Sequence, residues 1–217
     1  RGFTDTGAAP TPNGVTLDLS DQANNTGLAA GGTVVDIESF VGTRDSDLFV
    51  GDDQDTTFMG NRGDDWFVGS GGADAYVGGK GLDTVSYATA AEGVTASLAD
   101  GAGTAGQATG DSYAQVEGLV GSAQDDSLSG NAARNWLSGL DGDDLIFGGA
   151  GKDHLKGGVG DDTLRGGGGS DRAYFDGDLA DYTVTRTADS DNISGLSALS
   201  ASGRLNSIVR QCCATAT

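Results

Sequence analysis

The chain has 217 residues, of which 32 are Asp or Glu and 12 are Lys or Arg, so its formal net charge at pH 7 is −20. Leu, Ile, Val and Phe make up about a fifth of the chain, as in disordered proteins, whereas glycine, with 39 residues, is more than twice as frequent as usual. The charge excludes nucleic-acid binding, which needs clustered cations, and no apolar run reaches the roughly 20 residues of a membrane span. Ordinary burial of apolar side chains therefore cannot be the main source of stability.

Residues 1–13 are predicted to be an irregular lead-in. The chain starts at Arg1, with neither Met nor an apolar signal-peptide core, which indicates that it is processed or is a piece of a longer protein. The only cysteines, Cys212 and Cys213, are adjacent, and neighbouring cysteines rarely pair because a disulfide needs separated Cα atoms. A disulfide scaffold and a Cys-ligated zinc site are therefore excluded for residues 1–211.

Residues 14–92 are predicted to form a first module, in which a leader of alternating apolar residues precedes an array of nine-residue units at 42–86. The units read GTRDSDLFV, GDDQDTTFM, GNRGDDWFV, GSGGADAYV and GGKGLDTVS. Each unit starts with Gly, most have Asp at the sixth position, and nearly all have an apolar residue at the eighth. Internal periodicity of this kind decides the fold before local secondary structure does.

Residues 93–187 are predicted to form a second module with the same plan. Its array, at 121–174, consists of the units GSAQDDSLS, GNAARNWLS, GLDGDDLIF, GGAGKDHLK, GGVGDDTLR and GGGGSDRAY. Residues 14–86 align with this module without gaps at an offset of 79 residues, so that the leader sequence DIESFVG aligns with QVEGLVG. The second unit of each array lacks the acid and has Thr56 or Asn135 in its place. The chain is therefore predicted to be two tandem copies of one module.

The end of the second module is predicted to act as a cap. Residues 174–187, YFDGDLADYTVTRT, alternate in polarity after Asp181, and a solenoid needs a terminal element that covers its last open edge. Residues 188–217 form a Ser- and Ala-rich tail of unclear structure, which is interpreted as a diverged cap, a truncation or non-native sequence.

The frame GGxGxDxUx, in which U is a large apolar residue, resembles the RTX, or haemolysin-type calcium-binding, nonapeptide-repeat family. Four units match the frame strictly through the acid, namely Gly78–Asp83, Gly148–Asp153, Gly157–Asp162 and Gly166–Asp171. Three further units miss by one residue, namely Gly60–Asp65, Gly69–Asp74 and Gly139–Asp144. The resemblance covers about residues 14–187 and implies an all-β fold, a parallel β-roll (β-solenoid) of two tandem RTX modules with flanking and capping strands.

Each nine-residue unit divides into a six-residue turn and a three-residue strand. Glycine at turn positions 1, 2 and 4 is expected to supply positive φ values, and only the middle strand residue, at position 8, faces inward. Two units make one coil, so units n and n+2 stack about 4.8 Å apart as parallel strands. This stacking predicts a column Phe49–Phe67–Val85 facing Phe58–Tyr76, and a column Leu128–Ile146–Leu164 facing Leu137–Leu155–Ala173.

The same stacking brings the acids at position 6 together, and without a counter-ion these carboxylates repel or take up protons. Ca²⁺ accepts six to eight oxygen ligands from carboxylates and carbonyls, and it suits such turns better than Mg²⁺ does. The resemblance implies that each ion lies between turns of neighbouring coils. The predicted ligands are Asp47, Asp65, Asp74, Asp83, Asp126, Asp144, Asp153, Asp162 and Asp171, with Gly60, Gly63, Gly69, Gly72, Gly78, Gly139, Gly142, Gly148, Gly149, Gly151, Gly157, Gly158 and Gly160.

Pairs of units n and n+2 allow at most about seven calcium ions. The pairs that use Thr56 and Asn135 are predicted to be weak or empty. Because the ligand geometry does not exist in the free chain, folding is predicted to be coupled to metal binding. An EF-hand is excluded, since no D-x-[DN]-x-[DN]-G loop with its final Glu is present.

Three side chains at position 7 are predicted to face outward. His154, the only histidine, is expected to face solvent without a catalytic role, because no H-E-x-x-H motif or Ser-His-Asp set surrounds it. For Trp66 and Trp136, packing under an adjoining segment is favoured over an exposed surface for sugars or proteins.

The favoured function is that of a calcium-binding structural, surface or adhesive module without catalysis of its own. It is expected to be secreted, extracellular or on a bacterial cell surface, with other surface or extracellular protein subunits as partners. The alternative is the C-terminal calcium-stabilised secretion and folding region of a larger extracellular enzyme of the protease, lipase or epimerase type. Type I secretion, which the resemblance implies, uses a C-terminal signal that the tail does not clearly show.

Overall fold

The computed structural model of this chain describes residues 13–175 and the backbone of three further strands between residues 185 and 209. The predicted lead-in up to residue 12, residues 176–184 of the predicted cap and the remainder of the predicted tail lie outside the described residues. Regular structure in the described part consists of β-strands and three single-turn 3₁₀ helices, at Gln22–Asn24, Gly27–Ala29 and Gly106–Ala108. No helix of this part is long and apolar enough to cross a membrane.

The strands follow the nine-residue frame closely. In chain order they are β1 (Thr16–Asp18), β2 (Ser39–Val41), β3 (Leu48–Val50), β4 (Thr57–Arg62), β5 (Trp66–Val68), β6 (Ala75–Lys80), β7 (Thr84–Ser86), β8 (Thr95–Ser97), β9 (Ala102–Ala105), β10 (Ser112–Ala114), β11 (Gly118–Val120), β12 (Ser127–Ser129), β13 (Trp136–Asp141), β14 (Leu145–Gly151), β15 (His154–Val159), β16 (Thr163–Gly169), β17 (Arg172–Tyr174), β18 (Thr185–Asp189), β19 (Asn192–Leu199) and β20 (Leu205–Val209). Several strands are longer than the predicted three residues, because the glycines that open the next turn also pair between coils, as Gly149 does with Gly167.

Successive units alternate between two sheets, which confirms the prediction of a parallel β-roll. The eight-stranded sheet has the order β1-β3-β5-β7-β11-β13-β15-β17, and all its neighbours are parallel. The twelve-stranded sheet has the order β18-β19-β20-β16-β14-β12-β8-β9-β10-β6-β4-β2. Its antiparallel pairs involve β9 and the three strands β18–β20, and β20 pairs in parallel with β16.

The predicted internal columns are present with the predicted register. Phe49 pairs with Phe67, Phe67 with Val85, and Phe58 with Tyr76. The rings of Phe49 and Phe67 stack with their centroids 5.5 Å apart. In the second array Leu128, Ile146 and Leu164 pair in succession in one sheet. Leu137, Leu155 and Ala173 pair in succession in the other. Because only position 8 points inward from a three-residue strand, the core is a stack of single residues between the two sheets.

The two arrays form one continuous roll. β11, in the leader of the second module, pairs with β7 on one side and with β13 on the other. β10 pairs in parallel with β6, and β9 lies between β10 and β8 in the twelve-stranded sheet. The second leader thus closes onto the last coil of the first array.

The offset of 79 residues is reproduced in three dimensions. Thr16 pairs with Leu48 at the start of the first module, and Thr95 pairs with Ser127 at the start of the second. The pairing of β2 with β4 recurs, residue for residue, as the pairing of β11 with β13. β1 lies in the eight-stranded sheet, whereas its counterpart β8 lies in the twelve-stranded sheet.

Candidate metal centre

The aspartates at position 6 stack in columns along the roll, as the spacing predicts. The backbone amides of Asp47 and Asp65 donate to Oδ1 of Asp65 and Asp83, each over 2.8 Å. The same contact, over 2.9–3.1 Å, links Asp126 to Asp144, Asp144 to Asp162 and Asp153 to Asp171. One oxygen of each later carboxylate therefore binds the amide of the preceding coil.

The second carboxylate oxygen is buried without a partner at four of these aspartates. Oδ2 of Asp65, Asp83, Asp144 and Asp153 accepts no hydrogen bond within the part of the chain that the structure describes. A buried polar atom without a partner costs about 1–3 kcal/mol, and more when it is charged. These four oxygens are therefore the clearest evidence that the turns are built around something else.

Burial changes the protonation of these groups. It raises the pKa of Asp65 and of Asp83 to about 7, and nearby carboxylates act in the same direction. Burial and the charges of Asp126 and Asp162 raise the pKa of Asp144 to about 8, and that of Asp153 rises to about 6. A carboxylate in this position takes up either a proton or a cation.

The glycine at position 1 leaves the space in which oxygen atoms converge. A Cβ at Gly60 would lie 2.8 Å from the carbonyl oxygen of Gly78 and against the carboxylate of Asp65. Gly139 has the same relation to Asp144 and to the carbonyl oxygen of Gly157. A carboxylate and a carbonyl meeting in this way are the hard oxygen donors that Ca²⁺ prefers. The donor set thus fits the implied ion.

The expectation that all three turn glycines supply positive φ is wrong for position 1. Positive φ occurs at position 4, as at Gly63 (114°) and Gly142 (119°), and at position 2, as at Gly79 (109°). The glycines at position 1, such as Gly60 and Gly139, do not have it. Their lack of a Cβ is needed because the carboxylate and the carbonyl approach so closely.

Side chains alone do not complete a metal site. Nowhere in the described residues do three or more His, Cys, Asp or Glu side chains gather in a metal-binding arrangement. Because Ca²⁺ takes six to eight oxygens, backbone carbonyls would have to supply most of the ligands. The remaining predicted glycines, Gly69, Gly72, Gly148, Gly149, Gly151, Gly158 and Gly160, lie in the same turns and remain predictions as ligands.

Some aspartates in the columns are capped by hydroxyl groups instead. Thr43 donates to Asp47 through its amide (2.5 Å) and its Oγ1 (3.0 Å), and Ser122 does the same for Asp126 over 2.6 and 3.0 Å. Oδ2 of Asp74 accepts from the hydroxyl of Tyr76 over 3.0 Å and from that of Ser70 over 3.2 Å. The first unit of each array thus satisfies its acid with a Thr or Ser at position 2.

The two units without an acid keep the backbone link of the column. The amides of Thr56 and Asn135 donate to Oδ1 of Asp74 and Asp153, each over 2.9 Å. The side chain of Asn135 accepts from the amide of Asn131 over 2.8 Å. Neither Thr56 nor Asn135 has a carboxylate to offer, and the weak or empty calcium sites expected there remain a prediction.

Two acids outside the nine-residue frame extend the columns. Asp74 donates its amide to Oδ1 of Asp111 over 2.8 Å, and Asp83 donates to Oε2 of Glu117 over 3.0 Å. The frame does not include either acid. A shorter pattern would have found them, since each stands two residues before an inward-facing side chain, Tyr113 or Leu119, as the aspartate at position 6 of a unit does.

A buried phenol network surrounds Asp111 where the modules join. Tyr87 donates to Oδ2 of Asp111 over 2.5 Å, and the hydroxyl groups of Tyr87 and Tyr113 are 2.6 Å apart. Burial raises the pKa of Asp111 to about 6, although the Tyr87 hydrogen bond opposes this rise. At this junction hydroxyl groups satisfy the acid directly.

The outward-facing residues at position 7 are less exposed than expected. Trp66 is buried, which agrees with packing rather than an exposed surface. The ring of His154 stacks on that of Trp136 with centroids 3.8 Å apart, and its Nδ1 is 2.6 Å from the hydroxyl of Tyr174. His154 is therefore part of an aromatic stack rather than simply facing solvent.

We propose a variant pair that tests the close approach at position 1. Gly139→Ala places a methyl group against the carboxylate of Asp144, so we expect the calcium concentration at the folding midpoint to rise at least about fivefold. Gly168→Ala is the matched control, because its Cβ would meet only Cβ of Ala150, at 3.9 Å, and we expect a change below about twofold. Equal midpoints in calcium titrations followed by circular dichroism would contradict this role.

Comparison with known families finds a match to the arrays. The family model described as RTX calcium-binding nonapeptide repeat (4 copies) matches residues 50–85, 120–155 and 147–178. A comparison with curated proteins found no match. The matched segments cover most of both arrays and agree with the resemblance noted in the sequence.

Proposed function

We propose that this chain, whose two arrays belong to the RTX calcium-binding nonapeptide-repeat family, is a calcium-dependent structural module that becomes ordered when Ca²⁺ occupies its turns. The observation that carries the proposal is the set of buried carboxylate oxygens without partners at Asp65, Asp83, Asp144 and Asp153. Asp65 and Asp83 lie one coil apart and Asp144 and Asp153 half a coil apart, and each of these oxygens lies at a position-1 glycine where a backbone carbonyl oxygen also approaches.

The carboxylates at position 6 and the carbonyls of the turn glycines would hold the ions. Bound calcium would supply the positive charge that lets neighbouring carboxylates stay ionised while buried. At most about seven ions would bind. The sites that use Thr56 and Asn135, which interrupt the columns, would be weak or empty. The hydroxyl-capped Asp47 and Asp126 depend on calcium less, because their oxygens already accept hydrogen bonds.

The formal net charge of −20 makes calcium a switch for the fold. Without cations the stacked carboxylates repel, whereas bound cations cancel that repulsion and connect successive coils. Calcium-binding modules of extracellular proteins typically have dissociation constants of roughly 10⁻⁴–10⁻³ M. A module of that affinity would remain unfolded where calcium is scarce and become rigid outside the cell.

This behaviour supports a role as a secreted or cell-surface bacterial module that is structural or adhesive and has no catalysis of its own. The described fold places its acids in stacked columns shared between coils, which suits a rigid spacer or docking element. Other extracellular or surface proteins are the proposed partners.

Binding stoichiometry tests the proposal directly. Equilibrium dialysis of the full chain against Ca²⁺ should give several ions per chain and at most about seven, whereas Mg²⁺ at the same concentration should bind far less. Mg²⁺ is the matched control because it has the same charge but prefers an octahedral, partly hydrated shell. Binding of fewer than two calcium ions, or equal binding of both metals, would overturn the proposed function.

Calcium affinity is expected to fall as the pH is lowered from 8 to about 5.5. Because the pKa values of Asp65, Asp83 and Asp144 lie at about 7 to 8, calcium must displace protons from them at the lower pH. The stability of the calcium-free fold changes with pH in the opposite direction. Since these pKa values are raised above 3.8, protonation stabilises that fold fully below about pH 4, and this stability is lost as the pH rises through 7 to 8.

Calorimetric titration at pH 8 and pH 5.5, in two buffers with different ionisation enthalpies, checks this prediction. The titration at pH 5.5 should show weaker binding and a measurable release of protons. An affinity independent of pH, without proton release, would show that the buried carboxylates are not the ligands.

A further inference from the structure

The leader of the first module presents a surface that its counterpart in the second module buries. The segment 33–41 corresponds, at the offset of 79 residues, to the segment 112–120. Ile37 is 51% exposed and Val41 is 64% exposed, whereas their counterparts Val116 and Val120 are 3% and 0% exposed. In the second leader β11 pairs with β7 of the last coil of the first array, whereas β2 has no such neighbour on that side among the described residues.

The two leaders share part of their local structure, although β9 and β10 of the second leader have no counterpart strands in the first. Asp36 and its counterpart Gln115 both have a left-handed backbone, with φ of 55° and 54°. Both leaders also pair in the same register with the following array, through β2 and β4 in one case and through β11 and β13 in the other. On its preceding side, β2 pairs with no strand of the described residues, whereas β11 pairs with β7.

The junction between the two modules shows which contacts a leader makes with the coil that precedes it. The amide of Ser112 donates to the carbonyl oxygen of Asp74 over 2.8 Å. The amide of Glu117 donates to the carbonyl oxygen of Asp83 over 3.0 Å. In addition, β11 pairs with β7. The corresponding amides, those of Thr33 and Glu38, find no such acceptor among the described residues, and β2 is the last strand of its sheet.

The first-module leader would therefore accept a β-roll coil that offers two parallel strands in the places of β6 and β7. A second copy of this chain does not provide one, because β16, the last strand of its second array in the twelve-stranded sheet, already pairs with β20. The last coil of a further module of the same repeat has both strands free, just as the first module does for the second.

We infer that the surface of residues 33–41 is a docking surface for the last coil of another 79-residue module joined upstream, so that the roll extends beyond the two modules described. The apolar side chains of Ile37 and Val41 would be buried there as Val116 and Val120 are. This inference concerns the assembly of the roll and does not depend on which ion fills its turns.

Two substitutions in the existing chain test the inference first. Val120→Lys should raise the calcium concentration at the folding midpoint more than about tenfold or prevent folding, because it buries a charge at the internal junction. Val41→Lys, the equivalent change at the exposed surface, should alter the midpoint less than about twofold. Equal losses in the two variants would show that residues 33–41 are already covered, and would overturn the inference.

An extended chain tests the docking itself. Residues 14–92 are duplicated directly upstream of residue 14, and hydrogen exchange is followed at the original amides of Thr33 and Glu38. We expect their exchange to slow at least about a hundredfold, to the rates of Ser112 and Glu117, and Val41→Lys to become as damaging as Val120→Lys. An added module that leaves these amides exchanging at their original rates, or that fails to fold in front of residue 14, would overturn the inference.

Discussion

Removal of calcium by an excess of chelator is expected to abolish most of the β-structure of this chain. The described turns place unpartnered carboxylate oxygens of Asp65, Asp83, Asp144 and Asp153 inside the roll, and each three-residue strand contributes only one inward-facing side chain to the core. Without cations at neutral pH, a buried acid either remains charged and unpaired or takes up a proton that the unfolded chain does not bind, so in both cases the fold is less stable than at low pH. Far-ultraviolet circular dichroism and the fluorescence of the buried Trp66 should report the loss, and added calcium should reverse it.

A salt control separates specific binding from general screening. About 1 M sodium chloride reduces the screening length to about 3 Å, which weakens repulsion between exposed charges without providing a divalent ligand. We expect it to leave the chelated chain unfolded, whereas millimolar calcium should restore the β-structure. A chain that stays ordered after exhaustive chelation, or that folds equally well in sodium chloride, would contradict the calcium requirement.

Asp144→Asn is expected to raise the calcium concentration at the folding midpoint at least about tenfold, which corresponds to about 1.4 kcal/mol. The amide side chain keeps an oxygen to accept from the backbone of Asp126, but it removes the charge from a buried oxygen that has no partner in the described residues. In the absence of calcium the same substitution should stabilise the fold at pH 9, because it removes a carboxylate whose pKa of about 8 leaves it charged there.

Asp143→Asn is the matched control, since it removes the same charge one residue away. The carboxylate of Asp143 is exposed and accepts from the amide of Asp161, a contact that an amide oxygen can retain. We expect its midpoint to change less than about twofold. Calcium titrations followed by circular dichroism compare the two variants, and similar midpoints would show that net charge rather than ligand position controls folding.

The period of the sequence was sufficient to predict the parts of the fold that repeat. Once nine residues make a turn and a strand, the pairing of Phe49 with Phe67 and the stacking of Asp47 on Asp65 follow from geometry. Both predictions depend only on the alternation of side chains and on the spacing between strands.

Some features that the sequence did not predict connect residues across the irregular leaders, and others lie within single units. Asp111 and Glu117 join the acid columns over separations of 37 and 34 residues, which no nine-residue period contains. The capping of Asp47 by Thr43 was missed because Thr at position 2 is a departure from the glycine frame rather than part of it. The sequence indicates a conformational role for glycine at position 1, whereas at Gly60 and Gly139 its role depends on the approach of the unit's own carboxylate and of a carbonyl oxygen from the next coil.

The exchange of sheets between β1 and β8 has a consequence for the symmetry of the roll. Because β1 lies in one sheet and its counterpart in the other, the second module is turned by about half a coil relative to the first. The two modules are thus related by an approximate twofold screw, so that β2 lies in the twelve-stranded sheet and its counterpart β11 in the eight-stranded sheet. A third module joined with the same offset would return to the orientation of the first.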